Sequence, residues 1–305
     1  MLRFLSVRIV ILLVTVFVAA SAVFFAIRVA PGDPAQLIAG QQTQEDVLRV
    51  RRFLGLDAPL YVQYGRFLAG LIRGNLGVSA LTRGSVSDEI GRRLPPTLAL
   101  LGASMLITVV LGVVTGVMCA VKWNTVYDFL VMLLVVGALS MPNFWIGLLL
   151  MYFFSVRLGW LPSSGFSGIA SLIMPAIAVA ARQVAIVTRI TRVSMLDVLN
   201  EDYITVARAK GLGSWGVLMK HGLRNALIPI VTTLGLQVGY LLGGSIVIEV
   251  LFAWPGMGQL LINAITMRDY SLIQGVTIVY VGGFLMITLL MDVCYAWLDP
   301  RIRYE

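Results

Sequence analysis

The chain has 305 residues and a net charge of +8, with 59% of residues hydrophobic and only 12% charged, at a mean hydropathy of +0.91. Soluble globular domains carry roughly 25% charged residues, so composition argues against a soluble fold, and the basic excess reads as a membrane topology signal rather than a nucleic-acid footprint. The two cysteines, Cys119 and Cys294, sit in apolar stretches without a CxxC partner, which argues against a disulfide framework and a zinc site.

A bilayer core about 30 Å thick takes roughly 20 apolar residues of helix. The first run of that kind is Ile9–Ile27, with Arg3 and Arg8 in front. It is too long for a signal peptide, and Arg28 and Pro31 follow it instead of a small-residue cleavage site. A long polar segment, 29–96, comes next. Within it the apolar spacing predicts short helices at Glu45–Leu54 and Tyr61–Ile72, separated by breaks at 55–59 and 73–77. The remaining runs are Thr97–Val121, Tyr127–Phe154, Ser171–Ile190, Ala226–Phe252 and Gly275–Leu298. Pro142 and Pro175 interrupt the third and fourth. In the fifth, Gly235, Gly239, Gly243 and Gly244 allow either close helix approach or ordinary tight packing.

The predicted fold is all-α: a polytopic membrane protein of about six transmembrane helices with a small external helical subdomain. Its divisions are 1–28, an N-terminal cytoplasmic end and first span; 29–96, the external subdomain; 97–298, a five-span core with a cytoplasmic loop at 191–226; and 299–305, a cytoplasmic tail. Orientation follows from the basic residues. With the N-terminus inside, the inner ends and short loops hold Arg3, Arg8, Lys122, Arg189, Arg192, Arg208, Lys210, Lys220, Arg224, Arg301 and Arg303. The short outer loops hold only Arg157 and Arg268. The nine arginines between Arg28 and Arg93 lie in a long segment, which translocates largely regardless of charge.

The inner loop Asp197–Pro229 contains two helical patterns interrupted at Gly211-Leu-Gly213, with Ser214 placed to cap the second and Pro229 at the re-entry into the membrane. Tyr203, Val206, Ala207 and Lys210 share one face; Trp215, Leu218 and Met219 form an apolar face opposite Lys220 and Arg224. A short amphipathic helix of this kind suits a groove on another protein. Anchoring to anionic lipid through the basic side chains is the alternative.

Polar groups at membrane depth are functional candidates by default. Glu249, near the outer end of the fifth span, either meets solute, holds a gate, or pairs with a neighbouring arginine for structure; the structural reading is preferred. With Trp254, Pro255 and Gly256 it forms a candidate external gate. Asp128 and Asp292 fall near span ends, where solvation explains them. Asp33 is a turn former. His221, the sole histidine, has no second ligand or base partner nearby.

The runs Glu201-Asp202-Tyr203, Ala207-Arg208-Ala209-Lys210-Gly211-Leu212 and His221-Gly-Leu-Arg224-Asn225-Ala-Leu-Ile-Pro229 resemble the coupling-loop signature of permeases in the dipeptide, oligopeptide, glutathione and nickel branch of binding-protein-dependent ATP importers. Pro31-Gly-Asp-Pro34, Gly74-Asn-Leu-Gly77, the stretch Gly243–Gly258 and the tail Asp299–Tyr304 are similar as well. Gln36–Gly40, Met267–Tyr270 and that tail look most like glutathione-type permeases. One departure stands: Thr205-Val206-Ala207 replaces the general Glu-Ala-Ala before Gly211, and the distance from glycine to proline is longer.

The resemblance implies a translocation subunit without enzymatic activity. Its loop docks on a separate ATPase, Ala207 and Gly211 permitting close packing while Arg208, Lys210 and Arg224 orient the contact. The implied partners are a second homologous permease, two ATPase subunits, a soluble or lipid-anchored substrate-binding protein and membrane lipid, but no nucleic acid. The implied location is the bacterial inner membrane. The chain has no GxxxxGK[ST] loop, so no cofactor is expected on it and ATP-Mg belongs to the partners. Two rivals make other demands. An ion-gradient transporter requires charged relays at mid-membrane and inverted repeats, and an intramembrane enzyme requires a nucleophile–base pair or HExxH.

Overall fold

The computed structural model describes residues 2–29, 35–36, 43–53 and 55–298. The Pro31–Pro34 turn, residues 37–40 of the Gln36–Gly40 run and the 299–305 tail lie outside these, as do the side chains of Asp292 and Cys294. The described residues are helical apart from their connections and one isolated bridge between Val78 and Ser85.

In chain order the helices are α1 (Leu2–Val29), α2 (Gln44–Phe53), α3 (Leu60–Ile72), α4 (Val86–Val121), α5 (Val126–Ser140) and α6 (Asn143–Leu150), the last continued in wider turns over Met151–Arg157. Then come α7 (Ile169–Leu199), α8 (Asp202–Ala209), a short α9 (Ser214–Gly216) that runs through wide turns at Val217–Leu223 into α10 (Arg224–Leu251), α11 (Met257–Thr266) and α12 (Tyr270–Leu298). Five stretches are long and apolar enough to cross a membrane, and a sixth crossing arises if the bent pair of α5 and α6 counts as one span. About six spans is therefore the observed architecture.

The run Tyr127–Phe154 bends by 110° between α5 and α6, at the interruption expected of Pro142. Pro142 lacks an N–H and fixes its own φ at −63°, and its ring pushes Met141 to an extended conformation (φ −96°, ψ 136°), after which the Pro142 carbonyl accepts the first bond of a new helix from Trp145 at 3.0 Å. Pro175 breaks nothing. It lies in the second turn of the continuous α7, where its missing N–H removes only one bond. Pro229 also sits inside a helix, so the second half of the inner loop joins the fifth span without a break.

Contacts group the chain into two compact units, Met1–Thr97 with Pro255–Met286 and Leu98–Trp254 with Ile287–Glu305. In the first unit Val86, Ile90, Met257, Leu260, Leu272 and Val276 form the core. An aromatic cluster ties α1 to α3: Phe24 meets Tyr64 at 5.1 Å and Phe67 at 5.3 Å between ring centroids. Arg28 lies 3.5 Å above the Phe24 ring while its Nε donates to Gln63 at 3.0 Å. Asp269 is 1% exposed and accepts from the Ser79 hydroxyl at 2.6 Å and from the backbone N–H groups of Leu81 at 3.3 Å and Leu272 at 3.1 Å. One carboxylate thus starts α12 and pins the 77–85 turn.

In the second unit α7 is the central helix, packed by α4, α5, α6 and α10. Close approach of α4 to α7 depends on Gly112 and Gly116. A Cβ at Gly116 would meet Thr191 Cβ at 2.5 Å and the Thr188 carbonyl at 2.7 Å, and one at Gly112 would meet Val187 at 2.7 Å. The four-residue spacing is the small-residue pattern of packed membrane helices. Thr115 hydrogen-bonds Thr188 across the same seam at 2.8 Å.

Candidate functional site

The inner loop begins where α7 ends at Asn200. Helix α8 follows, and Lys210 closes it. Gly211 takes the left-handed conformation at φ +79°, which glycine adopts without a Cβ penalty and which reverses the chain. Val217 N–H then bonds the Gly213 carbonyl at 3.1 Å as the helix resumes. Buried between the two arms are Ile204, Ala207 and Val217 with Val198 beside them. Asn225 Nδ2 donates to the Tyr203 hydroxyl at 2.8 Å and ties the arms a second time.

The result is an exposed, knobbed hairpin. Glu201, Asp202, Tyr203, Arg208, Ala209, Lys210, Gly211, Arg224, Asn225 and Pro229 are exposed, and His221 is half-buried. Val206, Leu212, Met219 and above all Trp215, at 72%, present large apolar surface. Ala207 is the exception among the expected contact residues: at 6% exposure its small side chain serves the packing of the two arms on each other. Ile204 was not singled out in the sequence, although its spacing from Ala207 marked it as a member of the same face. The hairpin also walls a cavity of about 960 Å³ with the ends of α4 and α7, lined by Val117, Val121, Leu199, Trp215 and Leu218 and by the cations Lys122 and Arg208.

Behind the hairpin, Asp128 and Arg192 join α5 to α7. Arg192 Nε reaches Asp128 Oδ1 at 2.6 Å and Nη2 reaches Oδ2 at 2.7 Å. Asp128 is 4% exposed, which corrects its reading as a solvated residue at the membrane edge. The partner stands 64 residues away in sequence, so no local pattern announced it.

The residues of the candidate gate are all in ordered structure. Glu249 is fully buried in the second unit, and its carbonyl accepts the Trp254 N–H at 2.8 Å. Trp254 is 1% exposed and stands edge-on to Phe166 at 5.0 Å. Between them Ala253 adopts φ +49°, a left-handed conformation costly for a residue with a Cβ. In the first unit Gly256 begins α11, and the next N–H, of Met257, is bound by Thr97 Oγ1 at 2.8 Å.

Arg182 received no attention in the sequence. It is an exposed arginine inside the apolar run Ser171–Ile190 of α7, and its Nη1 donates to the Leu139 carbonyl at 3.5 Å. A charge near the centre of a span was the available signal.

Residues 112–304 match the family described as binding-protein-dependent transport system inner membrane component, and residues 1–101 match the N-terminal domain of such membrane components. The chain is 44% identical over 306 residues to the glutathione transport system permease protein GsiC of Escherichia coli (strain K12), covering 100% of both chains. The same identity and coverage hold for the proteins of that name from Escherichia coli O6:H1 and Shigella flexneri serotype 5b. Among solved structures, a crystal structure of an amino acid ABC transporter with histidines superposes at a TM-score of 0.54 and 17% identity, covering 69% of this chain and 94% of that one. That likeness bears on the fold.

Proposed function

We infer that this chain, which belongs to the binding-protein-dependent transport system inner membrane components and is a multi-pass permease subunit of an ABC transporter, translocates glutathione or short peptides. The observation that carries the solute class is the full-length 44% identity to the glutathione permeases. Membership of the family implies a binding protein and ATPase partners. The finer assembly proposed is one copy of this chain beside a second, homologous permease, with two ATPase subunits on the inner face and a soluble or lipid-anchored binding protein on the outer face. ATP-Mg is bound by the ATPases, and both termini of this chain are cytoplasmic, the orientation its basic residues favour.

The 201–229 hairpin is the proposed coupling element. Its exposed apolar residues fit a groove on the ATPase, and Lys210 and Arg224 orient them. ATP binding closes the ATPase pair, draws the hairpins together and turns the cavity from inward-facing to outward-facing; hydrolysis resets it. The differential affinity of the ATPases for ATP biases this two-state equilibrium, and the hairpin transmits it. Glu249 and Trp254, with Pro255 and Gly256, are proposed to hold the external end shut.

The test is native mass spectrometry of the tagged chain purified in mild detergent, comparing wild type with Gly211→Arg. An L-residue at φ +79° strains the turn, and the added charge disrupts the hairpin tip. ATPase subunits are expected on wild type and absent from the variant. A wild-type chain that carries no ATPase and still moves solute in vesicles would sink this reading in favour of an ion-gradient transporter.

A further inference from the structure

We propose that Arg182 is a binding point for the carboxylate of the passing solute, midway through the membrane on the water-filled face of this subunit; the proposal deepens the importer reading and rests on it. Helix α7 is unbroken from Ile169 to Leu199. At 1.5 Å per residue, Arg182 lies about 20 Å from its first residue and about 26 Å from its last. An arginine at that depth is costly against lipid and faces either a water-filled cavity or the interior of the bundle.

Ala178, Val179 and Ala185, one turn away on the same face of α7, are buried, whereas the Arg182 side chain is exposed, so the helices of this chain do not enclose it. No carboxylate pairs with it among the described residues. Among the described residues it makes one hydrogen bond, from Nη1 to the Leu139 carbonyl, 3.5 Å long. That carbonyl belongs to the last turn of α5, which the bend at Pro142 leaves without helical partners, so capping is the purely structural role. Capping uses one of five guanidinium donors. The others form a planar fork that matches a carboxylate bidentately. Arg189 is exposed on the same face seven residues on, about two turns later, and extends the positive stripe toward the inner end of the helix. The chemistry recognised is an anion with a free carboxylate, which every short peptide and glutathione carries.

The experiment places the assembled transporter, with its binding protein, in proteoliposomes, with glutathione as solute. Uptake and the ATP hydrolysis stimulated by loaded binding protein are read together for Arg182→Gln and Arg182→Lys. Arg182→Gln is expected to lose about tenfold or more of uptake, the scale of hydrogen bonds to a charged group, while keeping stimulated hydrolysis, and Arg182→Lys to keep most of both. Unchanged uptake in Arg182→Gln overturns the proposal. So does a parallel loss of uptake and hydrolysis, which assigns Arg182 to capping. If these variants fail to assemble, the full chain with Arg182→Cys, Cys119→Ser and Cys294→Ser decides: a membrane-impermeant maleimide is expected to label it, and an inert thiol overturns the proposal. A wild-type complex without ATP-dependent uptake would instead count against the importer reading.

Discussion

Asp128 and Arg192 show what one pair of charges does for a helix bundle. Both charges are largely withdrawn from water and joined by two short hydrogen bonds, so removing either partner strands the other. Asp128→Ala is expected to cost about 3 kcal/mol and to lower the thermal transition of the detergent-solubilised chain, and the exchange Asp128→Arg with Arg192→Asp to recover part of it. A transition in Asp128→Ala equal to wild type would assign the pair no stabilising role. At this scale the sequence was least legible. Positive-inside counting classed Arg192 as a topology signal, and span counting passed over Arg182 because a single charge leaves a run apolar on average. Ion pairs between helices depend on packing that local composition does not encode.

Among the helices, Gly243 was emphasised by its spacing and Gly116 was not. Gly243 in α10 has open space where a Cβ would stand, whereas Gly116 in α4 has none. Gly116→Ala is expected to destabilise the isolated chain by about 1–3 kcal/mol through overpacking, and Gly243→Ala to change it by no more than about 1 kcal/mol. Paired thermal melts in one detergent check this, and equal shifts would contradict the seam. Most helices were legible because twenty-residue apolar runs have one stable solution in a bilayer. The breaks were less so: Pro142, Pro175 and Pro229 carry the same missing N–H, yet the chain leaves the helix only before Pro142. The inner hairpin was readable from Gly211, since a glycine between two amphipathic stretches marks a reversal; the burial of Ala207 inside it was not.

For the molecule as a whole, the family was written in short runs scattered along the chain, while the grouping of Pro255–Met286 with the N-terminal third was not visible from order alone. The bend between α5 and α6 carries a further consequence. Each arm has 15 residues, Val126–Ser140 and Asn143–Arg157, about 22 Å of helix against a hydrocarbon layer of about 30 Å. Neither arm matches the bilayer alone, so the lipid beside them must thin or the flanking side chains must reach out to the interface, each at a cost that rises with thickness. Bilayer thickness then acts on this subunit as a mechanical load. Reconstitution in lipids of increasing acyl length is expected to lower transport progressively at constant protein content, and a flat profile would mean that neighbouring subunits shield the bend from lipid.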